Sequence, residues 1–405
     1  MLKVKDTLRS TVYLSFDGKV IKTYHGADAR SRFETEVRML KHLEKFGCPF
    51  VPRLLDQNPS LPQIVTTNCG QKVEHLDPQR LDSLFAELET FGVRHDDKDA
   101  RNVTYRRSDG RFCIIDFEFA TLLDPACFSD PASRRLRWSG CSDRGKVRAN
   151  NEDSFVGLRF NRQELERLGK EGEASLQTAD FVFAVSDGMG GAQAGELASK
   201  MAVEKVPHIL PKGFRAPEAE SGVDGSGLLL QALVREIHAA LVYLGKSYEE
   251  CRGMETTLSL CWFAPGVMHF AHVGDSRIYH LPASGGIRQL TEDDTHVGWL
   301  FRQGKINERE ARSHPRRSVL QKALGGGNQF VDPQIGRVMV GCGDRFLLCS
   351  DGLVDGLYDA HMLDLASAGE SSADFAGRSR RLVDAAVAAS GRDNTTALLV
   401  EVGGC

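Results

Sequence analysis

Asp187-Gly188-Met189-Gly190-Gly191 follows directly on the apolar run Phe181-Val182-Phe183-Ala184-Val185. The run has the length and composition of a buried strand, and the glycines after it let the backbone turn tightly and approach a ligand closely. A carboxylate at such a strand tip is placed to hold a metal. Three further acids stand at comparable junctions: Asp153 in Asn150-Asn151-Glu152-Asp153-Ser154, Asp351 in Cys349-Ser350-Asp351-Gly352, and Asp393 in Gly391-Arg392-Asp393-Asn394. An oxygen-only set with room for water suits magnesium or manganese, and does not favour metals that prefer thiol or imidazole ligands.

A chain of 405 residues exceeds what one hydrophobic core usually supports, so two domains are expected. Hydrophobic residues at 41% and charged residues at 26% describe an ordinary globular protein. A formal net charge of -4 lacks the basic surplus typical of nucleic-acid binders, so no nucleic-acid partner is expected. Met1-Leu2-Lys3-Val4-Lys5-Asp6 has no apolar core of a secretory signal. The most apolar long stretch, Leu228 to Leu244, is interrupted by Arg235, Glu236 and His238 and reads as an amphipathic helix, so no membrane association is expected. Ten scattered cysteines without CxxC pairs fit buried free thiols in a reducing compartment, and a cytoplasmic location is the expectation.

In the first third, Val12 to Phe16 and Lys19 to Tyr24 flank Asp17-Gly18 and predict a hairpin; Ala29 to Phe46 predicts a helix with Phe33, Val37, Leu40 and Leu43 on one face. A strand at Gln63 to Thr67, a helix through Leu81, Leu84, Phe85 and Leu88, and a strand at Phe112 to Ile115 follow. Between the last two lies His95-Asp96-Asp97-Lys98-Asp99-Ala100-Arg101-Asn102, and Asp116-Phe117-Glu118 comes after.

These residues, in this order, resemble a compact protein kinase. The resemblance implies that Lys22 grips nucleotide phosphates with Glu36 as its ion-pair partner, that Asp97 orients an acceptor hydroxyl, and that Asn102 and Asp116 hold the metal of ATP-magnesium. Two departures stand out: no G-x-G-x-x-G loop precedes Lys22, and Glu118 replaces the glycine of D-F-G, an acid near where phosphates would lie. A working kinase acting on serine or threonine, a non-catalytic pseudokinase that makes the chain a signalling scaffold, and a structural remnant are all open. Residues 1–124 are assigned to this domain. The Pro-, Ser- and Arg-containing residues 125–137, with Arg134, Arg135 and Arg137, are read as a linker, and 138–405 as the second domain.

The second domain is similar to the metal-dependent, type-2C (PPM-type) serine/threonine protein phosphatases. The motifs that carry the resemblance are, in family order, Arg148 through Asp153, D-G-M-G-G, Thr256-Thr257, V-G-D-S-R from Val273, L-T-E-D from Leu290, a helical flap ending in His314-Pro315, S-D-G-L from Ser350, and Asp393-Asn394. The resemblance implies an α+β fold overall: a C-terminal β-sandwich with flanking helices beside the small N-terminal kinase-like α+β domain. It also implies that Asp153, Asp187 and the Gly188 carbonyl hold one Mn2+ or Mg2+ ion, and that Asp187, Asp351 and Asp393 hold a second. Glu152 would bind metal waters, Asp275 a third, weaker ion, and Arg148 the phosphate of a phosphoprotein substrate. In this chemistry a water shared by the metals attacks phosphorus in line. Asp275 also has a plainer reading, as a turn residue capping Ser276 and Arg277. Glu255 and Asp294 depart from the family pattern and are expected to tune substrate access; His272 and His314 are read as core and flap residues rather than general acids.

Overall fold

The computed structural model describes residues 2–73, 76–107, 110–123, 134–208, 225–327, 330–367 and 375–403. The chain divides into two compact units, Met1–Pro131 and Ala132–Gly404.

In the first unit, β1 (Leu2–Asp6), β2 (Ser10–Leu14), β3 (Lys19–Tyr24), β4 (Leu54–Asn58) and β5 (Gln63–Thr67) form an antiparallel sheet ordered β1-β2-β3-β5-β4. The expected hairpin is β2 and β3, with Tyr13 opposite Ile21 and Gly18 at φ +79° in the turn. Helix α1 (Ala29–Lys45) connects β3 to β4 and buries Phe33, Met39, Leu40 and Leu43. Its buried stripe also contains Arg32 and Glu36, two charged residues where a plain amphipathic helix would place apolar ones. Next come β6 (Gln71–Lys72), α2 (Pro78–Thr90), β7 (Val93–His95), β8 (Val103–Arg106), β9 (Arg111–Ile114) and β10 (Ala120–Leu122). Asp77 caps α2 by accepting from the Arg80 amide at 3.1 Å, and Pro78 opens the helix, where its missing N–H costs nothing. Pairing in the order β6-β8-β9 and between β7 and β10 completes this unit.

The second unit is a four-layer sandwich. One sheet runs β14 (Glu171–Ser175), β11 (Arg135–Asp143), β24 (Thr395–Gly403), β23 (Arg345–Cys349), β19 (Arg277–Leu281), β20 (Arg288–Gln289). The other runs β13 (Leu165–Arg167), β12 (Asp153–Phe160), β15 (Asp180–Met189), β17 (Leu258–Ala264), β18 (Val267–Val273), β22 (Gln334–Met339), with β16 (Glu255–Thr256) and β21 (Leu324–Gly325) attached at the tip of β15. All pairs among the described residues are antiparallel.

The run Phe181 to Val185 is apolar throughout because both of its faces are covered. Phe181, Phe183 and Val185 of β15 point between the sheets, packing with Phe263, Phe346, Leu348 and Val400. Val182 and Ala184 point outward, under α3 (Ala192–Lys205) and α4 (Gly225–Ser247). A strand covered on both faces has no polar alternation. The other sheet is covered in the same way by α7 (Asp351–Gly356), α8 (Asp359–Ser367) and α9 (Arg378–Ala389), after the flap helices α5 (His296–Arg302) and α6 (Glu308–Ser313). Helix α4 is long and apolar enough to cross a membrane by length and composition. Here Leu230, Leu233, Val234, Ile237 and Leu241 lie on one face and pack into the core over β17 and β18.

The expected linker ends sooner than the composition suggested. Residues 125–133 lie outside the described residues, as does most of the loop expected before Gly227, and Arg135 to Arg137 belong to β11, opposite Gly403 to Glu401. Arg137 pairs with Glu401, and the buried Arg134 guanidinium donates to the Val340 carbonyl. These arginines tie down the edge of the second unit instead of a solvated connection. Seven described cysteines, among them Cys141, Cys261 and Cys349, are buried free thiols, whereas Cys342 is disulfide-bonded.

Candidate metal centre and nucleotide cleft

At one end of the sandwich the strand-end acids meet. Asp153 begins β12 and sits directly opposite Asp187 on β15. Asp351 opens α7 just after β23, and Asp393 immediately precedes β24. Two hydroxyls from those last strands, Ser350 Oγ at 2.7 Å and Thr396 Oγ1 at 2.6 Å, donate to Asp153 Oδ2. Asp153 Oδ1 and Asp351 Oδ1 are buried and have no hydrogen-bond partner. Buried carboxylate oxygens without a partner are costly unless a cation or a proton meets them.

The electrostatics agree. Burial, and then the charges of Asp153, Asp351, Asp275 and Asp393, push the Asp187 carboxyl well above the usual carboxylate range. Asp351 is raised in the same way, first by burial and then by Asp275 and Asp393. Asp153 is raised to about 6, by burial against the pull of its two hydroxyl donors, and Asp275 to about 7, by burial and then Asp293. Glu152, raised by burial and opposed by Arg148, lies beside Asp393 in the same electrostatic neighbourhood. The donor set therefore fits divalent cations bound by oxygen.

The backbone that carries Asp187 is over-determined. Its N–H donates to Thr257 Oγ1 at 2.9 Å, and its carbonyl accepts from Thr256 Oγ1 at 2.7 Å and from the Thr257 N–H. A Cβ on Gly188 would lie 2.0 Å from the Gly195 carbonyl oxygen, so only glycine lets α3 approach this turn. Asn394 accepts from the Glu152 N–H and donates to the Arg144 and Asn150 carbonyls, drawing the Arg148 loop onto the acids. Arg148 Nη2 contacts Asp393 Oδ2 at 2.6 Å, and its side chain is half exposed.

Asp275 lies on the turn between β18 and β19, and it shares with Asp351 a cavity of about 370 Å³ under the flap. The capping role considered for it falls to other groups: Ser276 Oγ meets Thr257 Oγ1 at 2.7 Å, and Arg277 forms a two-point pair with Asp293 at 2.9 and 2.7 Å. Asp294, expected to tune substrate access, clamps this turn, accepting from the Gly274 N–H at 3.1 Å and donating its own N–H to the Gly274 carbonyl. Glu255 lies in the short strand β16, with its carboxylate against Gly326. His272 is buried, with both ring nitrogens engaged by Ser259 Oγ and the Gly274 carbonyl, and His314 Nδ1 accepts from the Arg316 N–H. Neither His272 nitrogen is left for proton transfer.

Sequence reasoning did not single out Ser350 and Thr396 as the residues that orient Asp153. The signal was there: Ser350 opens the S-D-G-L motif, and Thr396 lies two residues beyond Asp393-Asn394. Ser350→Ala is expected to weaken Mn2+ affinity by about tenfold, as loss of a group that orients a ligand generally does, read from the metal dependence of activity and from calorimetry. An unchanged affinity would remove this role.

A family model described as Protein phosphatase 2C matches residues 173–389. The chain belongs to that family. PstP, a serine/threonine protein phosphatase of Mycobacterium tuberculosis, is 35% identical over 270 residues, 66% of this chain and 45% of PstP. The chain thus spans about half the length of that relative. The serine/threonine phosphatase stp of Listeria innocua is 33% identical over 261 residues, 64% of this chain and 93% of its own length. Among solved structures, the M. tuberculosis PstP/Ppp crystal structure has a TM-score of 0.54 at 33% identity, covering 67% of this chain and all of that one. The PstP catalytic domain has also been solved in complex with 2 manganese ions, with a TM-score of 0.53.

The first unit brings together every residue that the kinase resemblance singled out. Lys22, on the third strand, is buried and lies 2.6 Å from Glu36 Oε2; it also pairs with Asp116 Oδ1. Opposed by burial, the charges of Glu36, Asp116 and Glu118 keep the Lys22 ammonium firmly protonated. Asp116 has φ +70°, the one left-handed non-glycine residue among those described. Asn102 Nδ2 donates to the Asp97 carbonyl and to Asp97 Oδ2, and Arg101 Nη2 contacts both Asp97 oxygens at 2.7 and 2.8 Å. His95 is fully buried between Phe85 and Phe117. A cavity of about 840 Å³ opens onto Lys22, Asp97, Asn102 and Asp116. Glu118, expected as an acid near where phosphates would lie, lines the same cavity and is paired with the buried Arg32 Nη1 at 2.8 Å.

Proposed function

We propose that the second unit hydrolyses phosphoserine and phosphothreonine in proteins with two divalent cations, Mn2+ or Mg2+. The observation that carries this is the crowding of Asp153, Asp351 and Asp393 around Asp187, with one buried oxygen each on Asp153 and Asp351 that has no protein partner. Asp153, Asp187 and the Gly188 carbonyl would hold one ion, and Asp187, Asp351 and Asp393 the other. Bound there, the pair supplies a water acidified enough to attack phosphorus near neutral pH. Ser350 and Thr396 fix the Asp153 carboxylate, and Thr256 and Thr257 fix the main chain of Asp187. Arg148 is close enough to the acids, and exposed enough, to move from Asp393 onto a phosphate dianion, where a guanidinium fork matches two oxygens. Asp275 and Asp351, facing one cavity, support a third and weaker cation position. Phosphate release from phosphoserine and phosphothreonine peptides tests the reading. Release with Mn2+ and none in EDTA is expected; equal release in both rejects the metal-dependent reaction.

For the first unit the reading is a kinase-like nucleotide-binding domain. The Lys22–Glu36 ion pair at the mouth of a large cleft is the specific observation in its favour. Phosphate transfer and a purely regulatory role are separated by labelling Asp187→Asn protein with ATP, beside the same protein carrying Asp97→Ala. Label that depends on Asp97 makes the chain bifunctional. Absence of label leaves a phosphatase with a non-catalytic kinase-like domain, the alternative scaffold reading.

A further inference from the structure

The nucleotide cleft differs from its expected chemistry in what surrounds Asp116. A D-F-G aspartate that holds a metal needs open oxygens, with the catalytic-loop asparagine beside it. Here Asp116 Oδ1 pairs with Lys22, and Oδ2 accepts from Lys5 Nζ at 3.2 Å. Glu36, Asp116 and Glu118 come within 4.8 Å of one another, the grouping a cation would seek. That place is already filled by the Lys22 ammonium, 2.6 Å from Glu36 and 3.7 Å from Glu118, while Arg32 takes Glu118 from the other side. Burial pushes the Asp116 carboxyl up, but Lys22 and Lys5 outweigh it and hold it at about 2. The amide of Asn102 is turned toward Asp97. These residues do not fit a divalent cation.

A second difference lies on the roof of the cleft. A glycine-rich loop covers phosphates with free backbone amides, but the β1–β2 turn spends its amides on itself. Thr7 N–H donates to the Ser10 carbonyl at 3.0 Å, and the Arg9 and Ser10 N–H groups donate to Thr7 Oγ1 at 3.3 and 3.1 Å. What the turn and the strand before it offer the cavity is side-chain charge, from Lys5 and Arg9. Lys5 is 38% exposed, so its ammonium is within reach of a ligand arriving from solvent.

We propose that the first unit binds a nucleoside triphosphate without a divalent cation, Lys5 and Arg9 gripping the phosphates in place of both the glycine loop and the metal. Lys5 stands between Asp116 and the polyphosphate, where its single positive charge meets both. This rests on the nucleotide-binding reading of the same cleft. It removes the need for Asn102 as a metal ligand, which accounts for that amide being committed to Asp97.

Calorimetry of the full chain with ATP tests this, once with magnesium and once in EDTA. The expected dissociation constants agree within about threefold, and Lys5→Met or Arg9→Met weakens binding at least tenfold in both buffers. Both side chains reach solvent, and a thermal melt of each variant checks the fold; should Lys5→Met unfold the domain, Arg9→Met carries the test. Binding that appears only with magnesium, or that both substitutions leave unchanged, overturns the inference while leaving a nucleotide site in place. No ATP binding in either buffer overturns the nucleotide reading itself along with it.

Discussion

Asp187→Asn is expected to lower kcat/KM on a phosphopeptide by about 10³-fold or more, roughly 4 kcal/mol of lost transition-state stabilisation. The substitution keeps the size and shape of the side chain. Its main chain stays where Thr256, Thr257 and the Gly188 contact with α3 hold it. What disappears is the charge that would bridge two cations. A neutral amide offers one weak oxygen where a carboxylate offers two. The same change should make the metal-free protein more stable, because Asp187 is forced up by burial and by four neighbouring carboxylates. A variant that, with Mn2+ supplied, turns over the phosphopeptide like the parent protein would sink the proposed metal centre. A variant that is inactive and also less stable in EDTA would point to a folding role instead.

The acids of this centre were legible in the sequence because each stands where an apolar strand meets a glycine- or asparagine-containing turn, and such junctions are marked by local composition. Asp153 and Asp187 turned out to be register partners across two adjacent strands, the closest relation a sheet provides. The helix through Leu228 to Leu244, and the hairpin of the first unit, were legible from equally local patterns. What was not legible depends on pairings far apart in the chain. Arg134 and Arg137 read as part of a linker, yet their partners are Val340 and Glu401, more than 200 residues away. Lys5 sits in a polar stretch with no periodicity, and nothing local marks it as an edge strand reaching Asp116. Glu118 looked like an uncompensated acid because Arg32, its partner, is 86 residues earlier on the buried face of α1. In each case the missing information was a charge supplied from another element, which periodicity does not encode.

Those crowded carboxylates also set a pH dependence of stability, and its sign is unusual. Acids near 3.8 in the unfolded chain are raised in the folded one, Asp153 to about 6 and Asp275 to about 7, with Asp187 and Asp351 well above their usual range. Between about pH 4 and pH 7 the folded protein therefore binds more protons than the unfolded chain, and stability falls as pH rises through that window. In EDTA the second unit is expected to be more stable at pH 5 than at pH 7.5, on the order of a few kcal/mol, since each pKa unit corresponds to about 1.4 kcal/mol. His272, held below the usual imidazole range by burial, contributes with the opposite sign, since a buried neutral imidazole loses stability as pH falls below its unfolded value near 6.5, but it is one group against four raised carboxylates. Asp116, held at about 2 against burial by Lys22 and Lys5, does not oppose this, because its stabilisation is lost only as pH falls below the unfolded value near 4. With saturating Mn2+ the order should reverse: protons compete with the cations for the same oxygens, so acidification expels the metal and lowers stability. Denaturant unfolding at pH 5 and pH 7.5, with EDTA and with Mn2+, reads all four values. Stability that rises from pH 5 to pH 7.5 in EDTA would mean that the carboxylates are not crowded as described. The same experiment on Asp187→Asn should show a flatter EDTA profile, because one acid of the cluster no longer titrates.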